Sequence, residues 1–106
     1  MADFEKLKQN VMDLLQEQQI KLGYQRETVR LYYPLESLNH LLGTAVGNAK
    51  MKELLKEFRE QARELGGLRF SQKEERFCVI VPPEGAEYVV REMPENLFLK
   101  GLVELV

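Results

Sequence analysis

Residues 48–81 read NAKMKELLKEFREQARELGGLRFSQKEERFCVIV, and this stretch decides the fold. Its first half places Met51, Leu54, Leu55, Phe58, Ala62 and Leu65 at three- and four-residue steps, the period of one helix face. Asn48 is a suitable N-cap for this helix, and Gly66-Gly67 can take the conformations that end it. Past the glycines the period changes to two. Leu68 and Phe70 alternate with Arg69, and Phe77, Val79 and Val81 alternate with Cys78 and Ile80, across the polar tip Gln72-Lys73-Glu74-Glu75. The segment therefore predicts a helix followed by a β-hairpin with one apolar face.

Upstream, Phe4, Leu7, Val11, Leu14, Leu15 and Leu22, with Gln18 holding one place in the stripe, predict an amphipathic helix from Phe4 to Leu22. Asp3 can cap its start and Gly23 its end. Thr28 to Tyr33 alternates as a short strand, with Val29, Leu31 and Tyr33 on one side and Arg30 and Tyr32 on the other. Pro34 is expected at the first position of a short helix that buries Leu35, Leu38, Leu41 and Leu42 and ends at Gly43. The linker Thr44-Ala45-Val46-Gly47 joins it to the long helix.

Downstream, Pro82-Pro83 stops the second hairpin strand. Residues 86–93 fit either state: Tyr88, Val89 and Val90 favour a strand, and the Pro-Pro-Glu-Gly lead-in favours a helix, which is the expectation adopted. Glu95 to Val106 reads as a final apolar helix weakened by Gly101.

Helix, short strand, short helix, long helix, hairpin and helix is the order of a winged-helix domain with an extra C-terminal helix. Its second and third helices would form a helix-turn-helix, with the hairpin as the wing. The expected class is α+β. The 106 residues suffice for one core and are expected to form a single domain over 1–106. At 44% hydrophobic and 30% charged the composition is that of an ordinary globular chain. One cysteine excludes an intrachain disulfide, and no stretch approaches the roughly 20 apolar residues of a membrane span. The expected location is the cytoplasm.

Projected as a helix, residues 52–64 separate into a basic stripe of Lys52, Lys56, Arg59 and Arg63 beside an acidic stripe of Glu53, Glu57, Glu60 and Glu64. Together with Lys73 and Arg76 of the hairpin, the basic stripe is the candidate nucleic-acid contact. Two features oppose it. The glutamates would meet the same phosphates, and residues 24–93 carry 11 basic and 11 acidic side chains, whereas phosphate binding draws on uncompensated charge. The plainer reading is a solvated helix face laced with opposite charges three or four residues apart.

Seven of the last ten residues, Leu97, Phe98, Leu99, Leu102, Val103, Leu105 and Val106, are large and apolar. A helix packed on one side cannot bury them all, so they are the candidate self-association surface, giving a homodimer or a protein complex. A core-completing helix and a longer native chain are the alternatives. Tyr24, Tyr32 and Tyr33 cluster near the first strand, where they either cap the core or anchor an interface.

Catalysis is not expected. Cys78 sits among Val79 and Ile80 as a packing residue, and His40 has no second histidine or cysteine pair with which to hold a metal. No glycine-rich phosphate loop follows a strand, and no cofactor or small-molecule ligand is indicated.

Four strings carry a resemblance: Gln19-Ile20-Lys21-Leu22-Gly23-Tyr24, Leu31-Tyr32-Tyr33-Pro34, Leu38-Asn39-His40-Leu41-Leu42-Gly43 and Arg76-Phe77-Cys78-Val79-Ile80-Val81-Pro82-Pro83-Glu84-Gly85. They resemble a family of bacterial proteins known only as a domain of unknown function. The resemblance spans most of the chain and implies a bacterial intracellular protein; it brings no activity, cofactor or catalytic residue. Two functions follow as expectations. The first is a winged-helix interaction module that self-associates or binds a protein, and the second is a DNA-binding domain like those of transcription regulators.

Overall fold

The computed structural model describes residues 2–22 and 27–92. Helix α1 runs from Phe4 to Leu22. Asp3 caps it, its Oδ1 accepting the Lys6 N–H at 3.1 Å. Leu7, Val11 and Leu15 are fully buried, and the next place in that four-residue ladder belongs to Gln19, 1% exposed, whereas Gln18 is half-buried. The stripe thus passes through Gln19 and not through Gln18 as expected. Gly23 lies outside the described residues.

Strand β1 spans Val29–Pro34, with Val29, Leu31 and Tyr33 buried and the residues between them exposed. Pro34 closes the strand and does not open the helix: its ψ of 153° is extended, so helix α2 begins one residue later, at Leu35–Leu42. Gly43 ends α2 in the left-handed conformation at φ 68°, and Thr44 donates its N–H to the Asn39 carbonyl at 2.9 Å, closing the last turn.

Helix α3 spans Asn48–Gln61 behind an N-cap at Gly47. Asn48 is not the cap. Its Nδ2 reaches across to the Glu74 carbonyl at 3.0 Å, so the side chain fastens the helix start to the hairpin. The α-helix also stops short of the glycine pair. A 3₁₀ turn over Arg63–Leu65 follows, and this tightening still buries Ala62 and Leu65.

Strands β2 (Arg69–Lys73) and β3 (Arg76–Val81) are antiparallel, and their turn is the pair Glu74-Glu75, shorter than the four-residue tip expected. Glu74 takes φ 56°, a conformation a two-residue turn demands and glutamate rarely adopts. The Glu75 carbonyl accepts the Leu35 N–H at 2.7 Å, so the tip is held against the starts of both α2 and α3. β1 pairs with β3 in turn, giving an antiparallel sheet in the order β1-β3-β2.

The ambiguous stretch is helical: α4 covers Pro83–Glu92, with Ala86 and Val89 buried. Gly85 lies in the first turn of α4, where a Cβ would strike the Leu65 carbonyl oxygen and the Val81 side chain. The inner sheet face, carrying Leu31, Tyr33, Phe77 and Val79, joins one cluster with Leu7, Leu15, Leu38, Leu42, Leu55 and Phe58. The architecture is α+β, four helices and a three-stranded antiparallel sheet among the described residues. None of the described helices is long and apolar enough to cross a membrane. The expected last helix from Glu95 lies outside them, as do all seven candidate self-association residues, Leu97 to Val106.

Candidate functional site

Burial of Met51, Leu54, Leu55 and Phe58 turns the opposite side of α3 to solvent. One edge of that side, carrying Lys52, Lys56 and Arg59, forms the wall of a groove of about 290 Å³ whose other wall is Phe70, Ser71 and Gln72 of β2. Leu55 and Phe77 also line it. The Arg59 guanidinium lies 5.5 Å from the centre of the half-buried Phe70 ring, a cation–π contact that bridges the two walls.

Charge pairing on α3 is uneven. Lys50 pairs with Glu53 at 3.4 Å, and Arg63 leaves the basic stripe to pair with Glu60 at 2.6 Å. Glu64 pairs with Lys8 of α1 at 2.8 Å. That hydrogen bond holds the Glu64 carboxyl below its ordinary range and the Lys8 ammonium above its own. Lys52, Lys56 and Arg59 have no ion pair among the described residues. The helical ion pairing expected from the sequence thus holds for Glu53 and Glu60, Glu64 pairs instead with α1, and Glu57 and the groove side have no ion pair among the described residues.

The six candidate nucleic-acid residues are therefore split. Lys52, Lys56 and Arg59 share the groove; Arg63 is paired beyond the end of α3; Lys73 and Arg76 oppose each other at the base of the hairpin turn. Arg76 lines a separate depression with Tyr32, Tyr33 and Pro34. Phe70, Ser71 and Gln72 were not singled out from the sequence. Their signal was present: Phe70 is a large apolar residue in a strand whose other four members are polar, in the element that directly follows the basic helix.

The tyrosines also divide. Tyr33 is buried and its hydroxyl is bonded to Asn10, Tyr32 is 73% exposed, and Tyr24 lies outside the described residues. Tyr32 and His40 border a shallow depression with Asn10, Glu36, Ser37 and Leu41. Cys78 is buried in β3 and His40 is exposed on α2.

Fold and groove together define a small α+β domain with a cationic, aromatic-walled groove beside a sheet edge. Residues 4–106 match the family described as "Domain of unknown function, E. rectale Gene description (DUF3877)", and the chain belongs to that family. Neither the comparison with curated proteins nor that with solved structures gave a match.

Proposed function

We propose that this chain is a winged-helix module that binds a protein partner through α3 and β2. The element order and the sheet order β1-β3-β2 support the winged-helix reading, with α2 and α3 as the helix-turn-helix and β2-β3 as the wing. Fold alone does not choose a ligand. The observation that carries the protein reading is the groove itself: three unpaired cations stand beside a half-buried phenylalanine, a mixed surface of the kind interfaces use.

The DNA-binding reading rests on the same cations, since Lys52, Lys56 and Arg59 lie on the helix that would enter a groove. Two features weigh against it. The wing is short and its tip is tied to α2 and α3, with Glu74 and Glu75 at the turn. Glu53 and Glu57 are exposed on the neighbouring stripe of α3, where phosphates would have to pass. Whether the partner is a second copy, as the apolar sequence of Leu97 to Val106 invites, is settled by the same experiment that finds it.

That experiment is lysine cross-linking of the intact protein in its own cells, with linked peptides mapped by mass spectrometry. Links from Lys52 and Lys56 to another polypeptide are expected, and the Lys52 links, whose amine is kept, should be lost in Lys56→Glu/Arg59→Glu. Recovery on duplex DNA, with a salt dependence that the same substitutions flatten, overturns the proposal in favour of the DNA-binding domain.

A further inference from the structure

The groove lies between α3 and the outer strand β2. Phe70 and Gln72 stand opposite Val79 and Phe77 in register and so share the inner sheet face with Phe77, which also lines the groove, and Ser71 between them belongs to the same strand. β2 is the outer strand of the order β1-β3-β2, and among the described residues its outer border has no strand beside it.

Register gives the backbone groups that face outward. Lys73 and Arg76 flank a two-residue turn and so form a hydrogen-bonded pair, and alternation makes Ser71↔Cys78 and Arg69↔Ile80 hydrogen-bonded pairs as well. Phe70 and Gln72 occupy the non-bonded positions and direct their N–H and C=O away from β3. The other side of β3 agrees with this phase: Phe77, Val79 and Val81 then face β1, Pro34 falls at a non-bonded position where its missing N–H costs nothing, and Leu35 bonds to Glu75.

We infer that an extended acidic segment of a partner protein adds to this edge as a further strand, pairing its backbone with Phe70 and Gln72 and its carboxylates with Lys52, Lys56 and Arg59. The inference rests on the protein-binding reading above and gives its chemistry. Dimensions agree: Lys52 and Lys56 are separated by about 6 Å along the helix axis, and alternate residues of an extended strand by about 6.6 Å. Acidic residues at every second position would thus meet successive cations while the residues between them face away. The same edge of a second copy is a poor occupant, because it would bring Lys and Arg against Lys and Arg. Duplex DNA offers no strand to pair.

The test uses the intact, ¹⁵N-labelled protein and a blocked hexapeptide alternating glutamate and valine, with a lysine-valine hexapeptide and a short DNA duplex as comparisons. Saturable binding of the acidic peptide is expected, weakened about tenfold or more in Lys56→Glu/Arg59→Glu by loss of charge-assisted contacts. Both positions are exposed, so these substitutions leave the core intact. In the unmodified protein, bound peptide should slow amide exchange at Phe70 and Gln72 and leave Ser71, already bonded to β3, unchanged. Binding without that protection, or no binding at all, overturns strand addition. If cross-links from Lys52 and Lys56 still reach a protein partner, the protein-binding reading survives that failure; if the duplex binds in place of the peptide, both fall.

Discussion

The Tyr33 hydroxyl donates a 2.7 Å hydrogen bond to Oδ1 of Asn10, fastening the inner face of β1 to α1 through a polar contact at the margin of the apolar core. Burial pushes the ionisation of this phenol well above its ordinary value. The folded state therefore favours the neutral form. That preference stabilises the protein fully below the unfolded value, near pH 10, and is lost as pH rises through the folded one.

Replacing Tyr33 with phenylalanine removes the donor and leaves the Asn10 oxygen without it. The expected cost is about 0.5–1.5 kcal/mol at neutral pH, read by urea unfolding. The variant should also lose part of the decline in stability above about pH 10. An unaltered alkaline decline would assign that behaviour to other groups.

Asn39 locks the turn between α2 and α3. Its Oδ1 accepts the Thr44 hydroxyl at 2.8 Å and the Val46 N–H at 3.0 Å, while its Nδ2 donates to the Val46 carbonyl at 3.0 Å. Asn39→Ala should cost about 2 kcal/mol, from three bonds of modest net value each. Asn39→Asp keeps the acceptor and loses only the donor, so a smaller loss is expected. Equal losses in the two variants would show that the donor carries the turn.

Asn39 also marks what the sequence could and could not disclose. Periodicity and punctuation located the described α-helices and strands, because Leu54-Leu55-Phe58 and Val29-Leu31-Tyr33 each admit one burial pattern and Gly43 one terminus, but they left residues 86–93 open between helix and strand and gave no sign of the 3₁₀ turn over Arg63–Leu65. Long-range placement was not legible. Nothing local to Asn48 distinguishes a cap from a side chain reaching Glu74, and nothing in Thr28 to Tyr33 says that this strand joins β3. The candidate site was half legible for the same reason. The basic stripe follows from helix geometry alone, but the wall formed by Phe70, the loss of Arg63 to Glu60 and the turning away of Arg76 all depend on tertiary packing.

Gly85 is required by proximity. Its N–H bonds to the Pro82 carbonyl at 2.9 Å, and an added methyl would meet backbone at Leu65, which cannot move without displacing the 3₁₀ turn. Gly85→Ala should destabilise by about 1–3 kcal/mol, as overpacking does. Gly67, with nothing within 4 Å of a built Cβ, is the control. Its alanine variant should stay within about 0.5 kcal/mol of the parent. Thermal unfolding of the pair compares them directly, and similar losses at both glycines would count against close packing of α4 on Leu65.

Gln19 continues the ladder of Leu7, Val11 and Leu15 at 1% exposure, and among the described residues neither its Nε2 nor its Oε1 has a hydrogen-bond partner. Burying an amide in this way costs free energy that an aliphatic side chain of similar volume does not incur. Gln19→Leu should therefore stabilise the fold by about 1–2 kcal/mol, the usual penalty for an unsatisfied buried group. Gln19→Glu should do the reverse, since the same site would then hold a charge or force its protonation. Urea midpoints of the three proteins give the order directly. A leucine variant less stable than the parent would mean that the amide finds a partner in solution, and the helix would then be held at Gln19 by a polar contact instead of by the apolar ladder.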